Sequence, residues 1–250
     1  MPNDFLFWFL AIVATLLVGA GKGGLPLVGM LTVPVLSLSI SPVAAAGLML
    51  PLYILSDMYG LWLYRKEYDL RNLKILIPAS AIGIVVGWAL ASHTNDDIVL
   101  VLVGLIGLFY CIDTLLKSRR KLEPRPADVP RGIFWGSLTG FTSFVSHAGA
   151  PPFQMYVLPQ KLEKMVYAGT STIAFAIINL LKLPPYWFLG QVNVSSLKTC
   201  LVLAPLALFG AWAGYKMTTL LPEKLFFRIV EVALFLVSLK LLYDGVRGLI

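Results

Sequence analysis

Apolar residues run along this chain in stretches about as long as a bilayer is thick, separated by short polar or charged segments. A membrane-crossing helix needs about 20 apolar residues, and the stretches 40–64, 73–91, 98–116, 166–189, 197–217 and 225–243 each predict one. Two further stretches, 5–38 and 133–158, do not suit one straight helix. Glycine and proline interrupt them, from Gly19 to Pro26 and from Ser146 to Pro152. Each predicts a re-entrant hairpin or broken helix whose turn lies at membrane depth. Irregular backbone is tolerated at that depth only when buried in protein or lining a wet cavity.

The pattern occurs twice. Gly24, Pro26, Met30, Pro34 and Trp62 recur as Gly149, Pro151, Met155, Pro159 and Trp187, each 125 positions later. Pro78, Gly83 and Gly87 recur as Pro205, Gly210 and Gly214 at a spacing of 127. Glycine and proline are informative here because they mark backbone positions few other residues suit. The expected organisation is a first repeat over 1–122, a linker over 123–131 and a second repeat over 132–250. Doubled membrane units of this kind are a footprint of many transporters.

Composition agrees with the membrane reading: 58% of the 250 residues are hydrophobic and 13% are charged. Soluble domains carry roughly 25% charged residues. The net charge of +7 does not call for nucleic acid. Its basic residues cluster between apolar stretches, at Arg65, Lys66, Arg71 and Lys74 and again at Lys117, Arg119, Arg120, Lys121, Arg125 and Arg131. That is the pattern of cytoplasmic loops, so 64–74 and 117–131 are expected inside, and the acidic 92–97 segment and the N-terminus outside. In the second copy the loop corresponding to 64–74 is the uncharged 190–196, whereas 216–228 carries Lys216, Lys224 and Arg228 against Glu223. The exchanged signs predict an all-α polytopic protein of two inverted repeats, each a hairpin plus three spanning helices. Four crossings per copy in parallel orientation is the alternative. The first stretch lacks a basic leader and follows Asn3 and Asp4, so it reads as structural and not as a cleaved signal. Cys111 and Cys200 lie inside apolar segments and read as packed thiols. Trp8, Trp62, Tyr64, Trp135, Tyr186 and Trp187 stand at helix ends and read as interfacial anchors.

Candidate chemistry concentrates at the two breaks. Equivalent broken helices of inverted repeats meet near the midplane, where helix N-termini and successive N–H groups attract anions. Gly21, Lys22, Gly23 and Gly24 in the first break, with Ser146, His147, Gly149 and Gln154 at the second, are the expected substrate-binding residues. Ser143 adds a nearby hydroxyl. Neither break contains an acidic residue, which favours a small oxyanion over a metal or an organic cation. Lys22, seventeen places into its stretch, has little water to reach, and a charge at depth is costly enough to mark function. Asp57 and Lys182 are equivalent positions of opposite charge, suited to ion coupling or to a structural pair with each other or with Lys22. Thr170, Thr172 and Asn179 follow on the helix after the second break, Thr172 and Asn179 sharing a face. No metal site and no cofactor is expected.

The glycine-rich openings Gly21-Lys22-Gly23-Gly24 and Ser146-His147-Ala148-Gly149, the prolines Pro34 and Pro159, Asp57, Asn179 and the doubled glycine pairs carry a resemblance. The chain resembles the TauE/SafE family of membrane transporters, proposed exporters of sulfite and organosulfonates, over nearly its whole length. It departs from the pattern in placing Lys22 inside the first glycine run and in having a single glycine in the second. The resemblance implies a small sulfur oxyanion or organosulfonate as substrate, moved across the bacterial inner membrane. The expected partners are that anion and the lipid bilayer, without nucleic acid; the oligomeric state is left open, a homodimer included. An intramembrane enzyme using Ser146, His147 or Lys22, and a passive anion channel, are the alternatives.

Overall fold

Prolines, glycines and capping side chains set the ends of the helices. The computed structural model describes residues 5–36, 38–40, 42–91, 96–117 and 124–249. Asn3, Asp4, residues 92–95 of the acidic segment and residues 118–123 of the basic linker loop lie outside the described residues, as do the side chains of Pro34 and Ser146. The described chain is all-α. Its helices are α1 (Phe5–Lys22), α2 (Pro26–Met30), α3 (Thr32–Leu36), α4 (Pro42–Leu63), α5 (Leu70–Ala89), α6 (Asp96–Lys117), α7 (Val129–Ser146), α8 (Ala150–Val157), α9 (Lys164–Phe188), α10 (Val194–Leu220) and α11 (Glu223–Leu249), with a 3-10 turn at Leu158–Gln160 between α8 and α9.

Short polar residues start the long helices by capping N–H groups that have no partner inside the helix. Asp69 accepts from the Asn72 N–H at 2.7 Å at the head of α5, and Asp128 from the Arg131 N–H at 2.9 Å at the head of α7. Asn193 and Ser196 form a reciprocal capping box at the head of α10, both bonds 3.0 Å. The breaks are narrower than the glycine and proline runs predict. α1 continues through Lys22, and the second helix resumes at Ala150, so Pro151 and Pro152 lie in its first turn. Proline suits that turn, where its missing N–H had no helical partner to lose.

Among the described residues, five stretches are long and apolar enough to cross a membrane: Phe5–Lys22, Ala44–Leu63, Leu70–Ala89, Lys164–Phe188 and Ser196–Leu220. The protein is therefore a polytopic membrane protein. α11 has the length, 27 residues, but Arg228, Glu231, Lys240 and Asp244 interrupt its apolar run. Exposed side chains such as Phe5, Phe9, Ile82, Val85, Leu201, Val202 and Phe209 are apolar, as lipid contact requires.

Two compact units make up the chain, Met1–Tyr68 with Met165–Leu221 and Asp69–Lys164 with Pro222–Ile250. Each draws helices from both sequence repeats. In the first unit α2 and α3 pack against α1, with the Thr32 hydroxyl donating to the Ala14 carbonyl at 3.4 Å and Gly29 facing Gly21. α1 also packs on α10, where Gly19 and Gly23 meet Gly210, Ala211 and Gly214. In the second unit α5 packs on α7, where Gly83 faces Ser137 and Phe141, and Gly136 and Gly140 face Ala79 and Ser80. The Ser80 hydroxyl donates across this interface to the Gly136 carbonyl at 3.0 Å. Of the recurring glycine pairs, Gly83, Gly210 and Gly214 thus lie against the backbone of another helix, and Gly87 lies against the Phe141 and Phe144 side chains. Two glycines four apart let one helix backbone lie against another, which is how helices associate in lipid without a hydrophobic driving force.

Candidate functional site

α1 ends on a lysine, and the first unit is built around it. Lys22 Nζ lies 2.7 Å from Asp57 Oδ1 on α4, with side chains 7% and 0% exposed. The approach leaves Oδ1 charge-paired without a well-aligned hydrogen bond. The other oxygen, Oδ2, accepts from Asn179 Nδ2 on α9 at 2.8 Å. The Lys22 ammonium also lies 5.0 Å from the Tyr53 ring and 5.9 Å from the Phe175 ring, distances at which ring faces attract a cation. Position favours the charge too, since the C-terminal end of a helix is the negative end of its dipole.

The carbonyls that α1 leaves open at its end are closed by side chains from three other segments. Thr172 on α9 donates to the Lys22 carbonyl at 3.3 Å. The Gly23 carbonyl accepts both the Tyr64 phenol at 2.6 Å and the Thr218 hydroxyl of α10 at 3.1 Å. Gly24 then turns the chain at φ +116°, where a Cβ would be strained and would meet Tyr64 and Thr218. The Tyr53 phenol donates to the Gly29 carbonyl at 2.6 Å, tying α2 to α4.

Lys182 on α9 is 1% exposed, lies 5.9 Å from the Tyr186 ring, and feels the charges of both Lys22 and Asp57. Of the two partners open to Asp57 in the sequence, the structure joins it to Lys22. Thr170 points its hydroxyl back to the Val166 carbonyl at 2.6 Å, the local bond hydroxyl residues make in helices.

The second break lies in the other unit. His147 follows α7 in the left-handed region, φ 54°, a conformation few residues other than glycine adopt readily. The Ala148 N–H returns to the Thr142 carbonyl at 3.1 Å. His147 and Ser143 are buried, as are Gly149 and Gln154, whereas the Ser146 side chain is outside the described residues. Lys22 and His147, equivalent in the repeats, fall in different units.

Sequence reasoning missed Tyr53, Phe175 and Thr218 and misread Tyr64. Tyr53 stands four residues before Asp57 on α4, and Phe175 four before Asn179 on α9, so helical spacing pointed to both. Nothing local marks Thr218, which is 195 residues from Gly23. Tyr64 and Tyr186 were expected as interfacial anchors from their places at helix ends. They are buried, at 0% and 2% exposure, while Trp62 and Trp187 are exposed. Among the described residues no group of His, Cys, Asp or Glu is set to hold a metal, and Cys111 and Cys200 are buried and unbridged.

A protein-family model described as Sulfite exporter TauE/SafE matches residues 5–241. The chain belongs to the TauE/SafE family. This is a family of membrane transporters, not of enzymes, so the buried lysine and its neighbours are parts of a transporter. The match runs from the first residues of α1 into α11 and so takes in both units. No curated protein and no solved structure matches the chain.

Proposed function

We propose that this TauE/SafE member is a secondary transporter that moves a small anion, a sulfur oxyanion or organosulfonate such as sulfite, thiosulfate or sulfoacetate, out across the bacterial inner membrane. The observation that carries the reading is the buried charge of the first unit. Two lysines, Lys22 and Lys182, stand there with one aspartate, Asp57, each less than a tenth exposed. Burying charge is costly, so an ammonium kept inside a membrane protein marks function, and the group it is suited to meet is an anion. Asp57 holds Lys22 in place between turnovers, and an arriving oxyanion competes with the carboxylate for the ammonium.

On this reading Gly21, Lys22, Gly23, Gly24, Ser146, His147, Gly149 and Gln154 serve the substrate, with Asp57, Asn179, Thr172 and Lys182 setting the electrostatics. The matching glycine packing of α1 on α10 and of α5 on α7 supports two inverted repeats and alternating access between them. The return of Thr32 to Ala14 supports a re-entrant first hairpin. Basic loops at 64–74 and 117–131 favour a cytoplasmic side there, with the N-terminus outside. Export of an anion needs no coupling ion, because the membrane potential drives it outward by about 2.3 kcal/mol per charge for each ~100 mV.

The test is flux in proteoliposomes loaded with sulfite, thiosulfate or sulfoacetate, with Lys22→Ala as control. Saturable, counterflow-competent flux that Lys22→Ala abolishes is expected. Absence of flux for every anion overturns the proposal, and unsaturable flux without counterflow turns it into a channel.

A further inference from the structure

Gln154 is fully buried, and neither its Nε2 nor its Oε1 has a hydrogen-bond partner among the described residues. An amide buried in this way forfeits its hydration and gains nothing in return, so native structures keep few of them. Packing alone does not call for it, since leucine or methionine fills the same volume without polar atoms to satisfy.

Its place in the fold indicates what it is kept for. Gln154 lies on α8, the helix that resumes after the His147 break. Side chains on a helix lean toward its N-terminus, and from Gln154 that direction runs toward the break. A helix N-terminus ordinarily greets an anion with free backbone N–H groups. Here Pro151 and Pro152 have none, and the Phe153 N–H is bonded to the Gly149 carbonyl at 3.2 Å. The first turn of α8 is poor in backbone donors, and Gln154 supplies a side-chain NH2 from the same helix.

An amide also has an acceptor. A ligand that only accepts hydrogen bonds satisfies Nε2 but sets its own oxygen lone pairs against Oε1. Both ends are met by an anion that carries acceptor oxygens together with an O–H or N–H. Building on the transport reading above, we infer that Gln154 is a specificity residue that selects small anions bearing such a donor beside their anionic oxygens. The donor has two chemical sources: the acid O–H of a singly protonated oxyanion, or a hydroxyl or amino group on the second carbon from a sulfonate.

Two matched pairs of competitors against sulfite flux, in proteoliposomes at one fixed and mildly acidic pH, separate these sources. Methylphosphonate monoanion against its monomethyl ester tests the acid O–H. 2-Hydroxyethanesulfonate against ethanesulfonate tests the tail donor. In the wild type the donor-bearing member of at least one pair is expected to compete about tenfold better, the scale of leaving one buried polar group unsatisfied. Gln154→Met is expected to bring that ratio close to one and to weaken sulfite flux without abolishing it, while thermal stability is unchanged or higher. Equal competition within both pairs in the wild type overturns the assignment, as does a ratio that survives Gln154→Met. Failure of both Gln154→Met and Gln154→Leu to fold also overturns it, because the amide would then be holding the helix and not the ligand. Flux without donor preference strikes the Gln154 assignment alone, whereas no flux of any anion strikes the transport reading beneath it.

Discussion

Lys22 and Asp57 form a buried ion pair 2.7 Å long between the end of α1 and the middle of α4. Such a pair repays its desolvation only through close geometry and supporting hydrogen bonds, and loss of one partner leaves a bare charge inside the protein. Asp57→Ala is therefore expected to cost about 3–5 kcal/mol, whereas Lys22→Met combined with Asp57→Leu costs markedly less. Thermal unfolding of the two single variants and the double variant in detergent checks this. A double variant no more stable than Asp57→Ala would mean that the pairing of charges is not what matters at these positions.

Asn179 supports the carboxylate from α9 through its bond to Asp57 Oδ2. Asn179→Leu removes a hydrogen bond to a charged group, worth about 1.5–3 kcal/mol. Asn179→Asp does more harm by placing a second carboxylate against Asp57. The expected order of stability is wild type, then Asn179→Leu, then Asn179→Asp at neutral pH. Detergent unfolding midpoints that reverse the two variants would contradict the bond as described.

The Gly23 carbonyl has two donors, Tyr64 and Thr218, so either can be lost with the carbonyl still bonded. Tyr64→Phe and Thr218→Val are each expected to cost about 1 kcal/mol. Together they leave the carbonyl bare and should cost more than the sum of the two. A double-mutant cycle measures the excess, and strict additivity would show that the two hydroxyls do not share one acceptor's fate.

Helix contact through glycine makes a stability prediction that spans both units. An added methyl at Gly214 presses on the Ala20 backbone and one at Gly83 on the Ser137 backbone. Overpacking of this kind costs about 1–3 kcal/mol. Gly29 is the control, since its nearest neighbour would be 3.6 Å from the new Cβ. Gly214→Ala and Gly83→Ala should lower the unfolding temperature and Gly29→Ala should not. Equal effects at all three sites would count against glycine-mediated helix contact.

Much of this architecture is written in the order of the residues. Apolar runs of bilayer length dictate helices, because no other open structure satisfies its backbone in lipid. Gly83/Gly87 and Gly210/Gly214 announce two equivalent contact faces, and the structure places both against other helices. The cost of burying Lys22 marked it for attention without any coordinates, and the repeat spacing marked Asp57 together with Lys182.

What the chain order could not determine was which polar group meets which. Periodicity says which residues share a face of one helix, and so tied Thr172 to Asn179. It is silent on the rotation and register of one helix against another, since lipid and protein interior are equally apolar to Leu or Val. Asp57 had Lys182 and Lys22 as possible partners in the sequence, and only packing joined it to Lys22 and Asn179. Tyr64 likewise read as an anchor from its place at a helix end, until the fold turned its hydroxyl inward onto Gly23. Hydrophobic pattern determined that the chain lies in the membrane, and glycine and proline marked the two regions in which it breaks. The close approach of particular helices, set by small residues and buried hydrogen bonds, decided how the charges inside are paired.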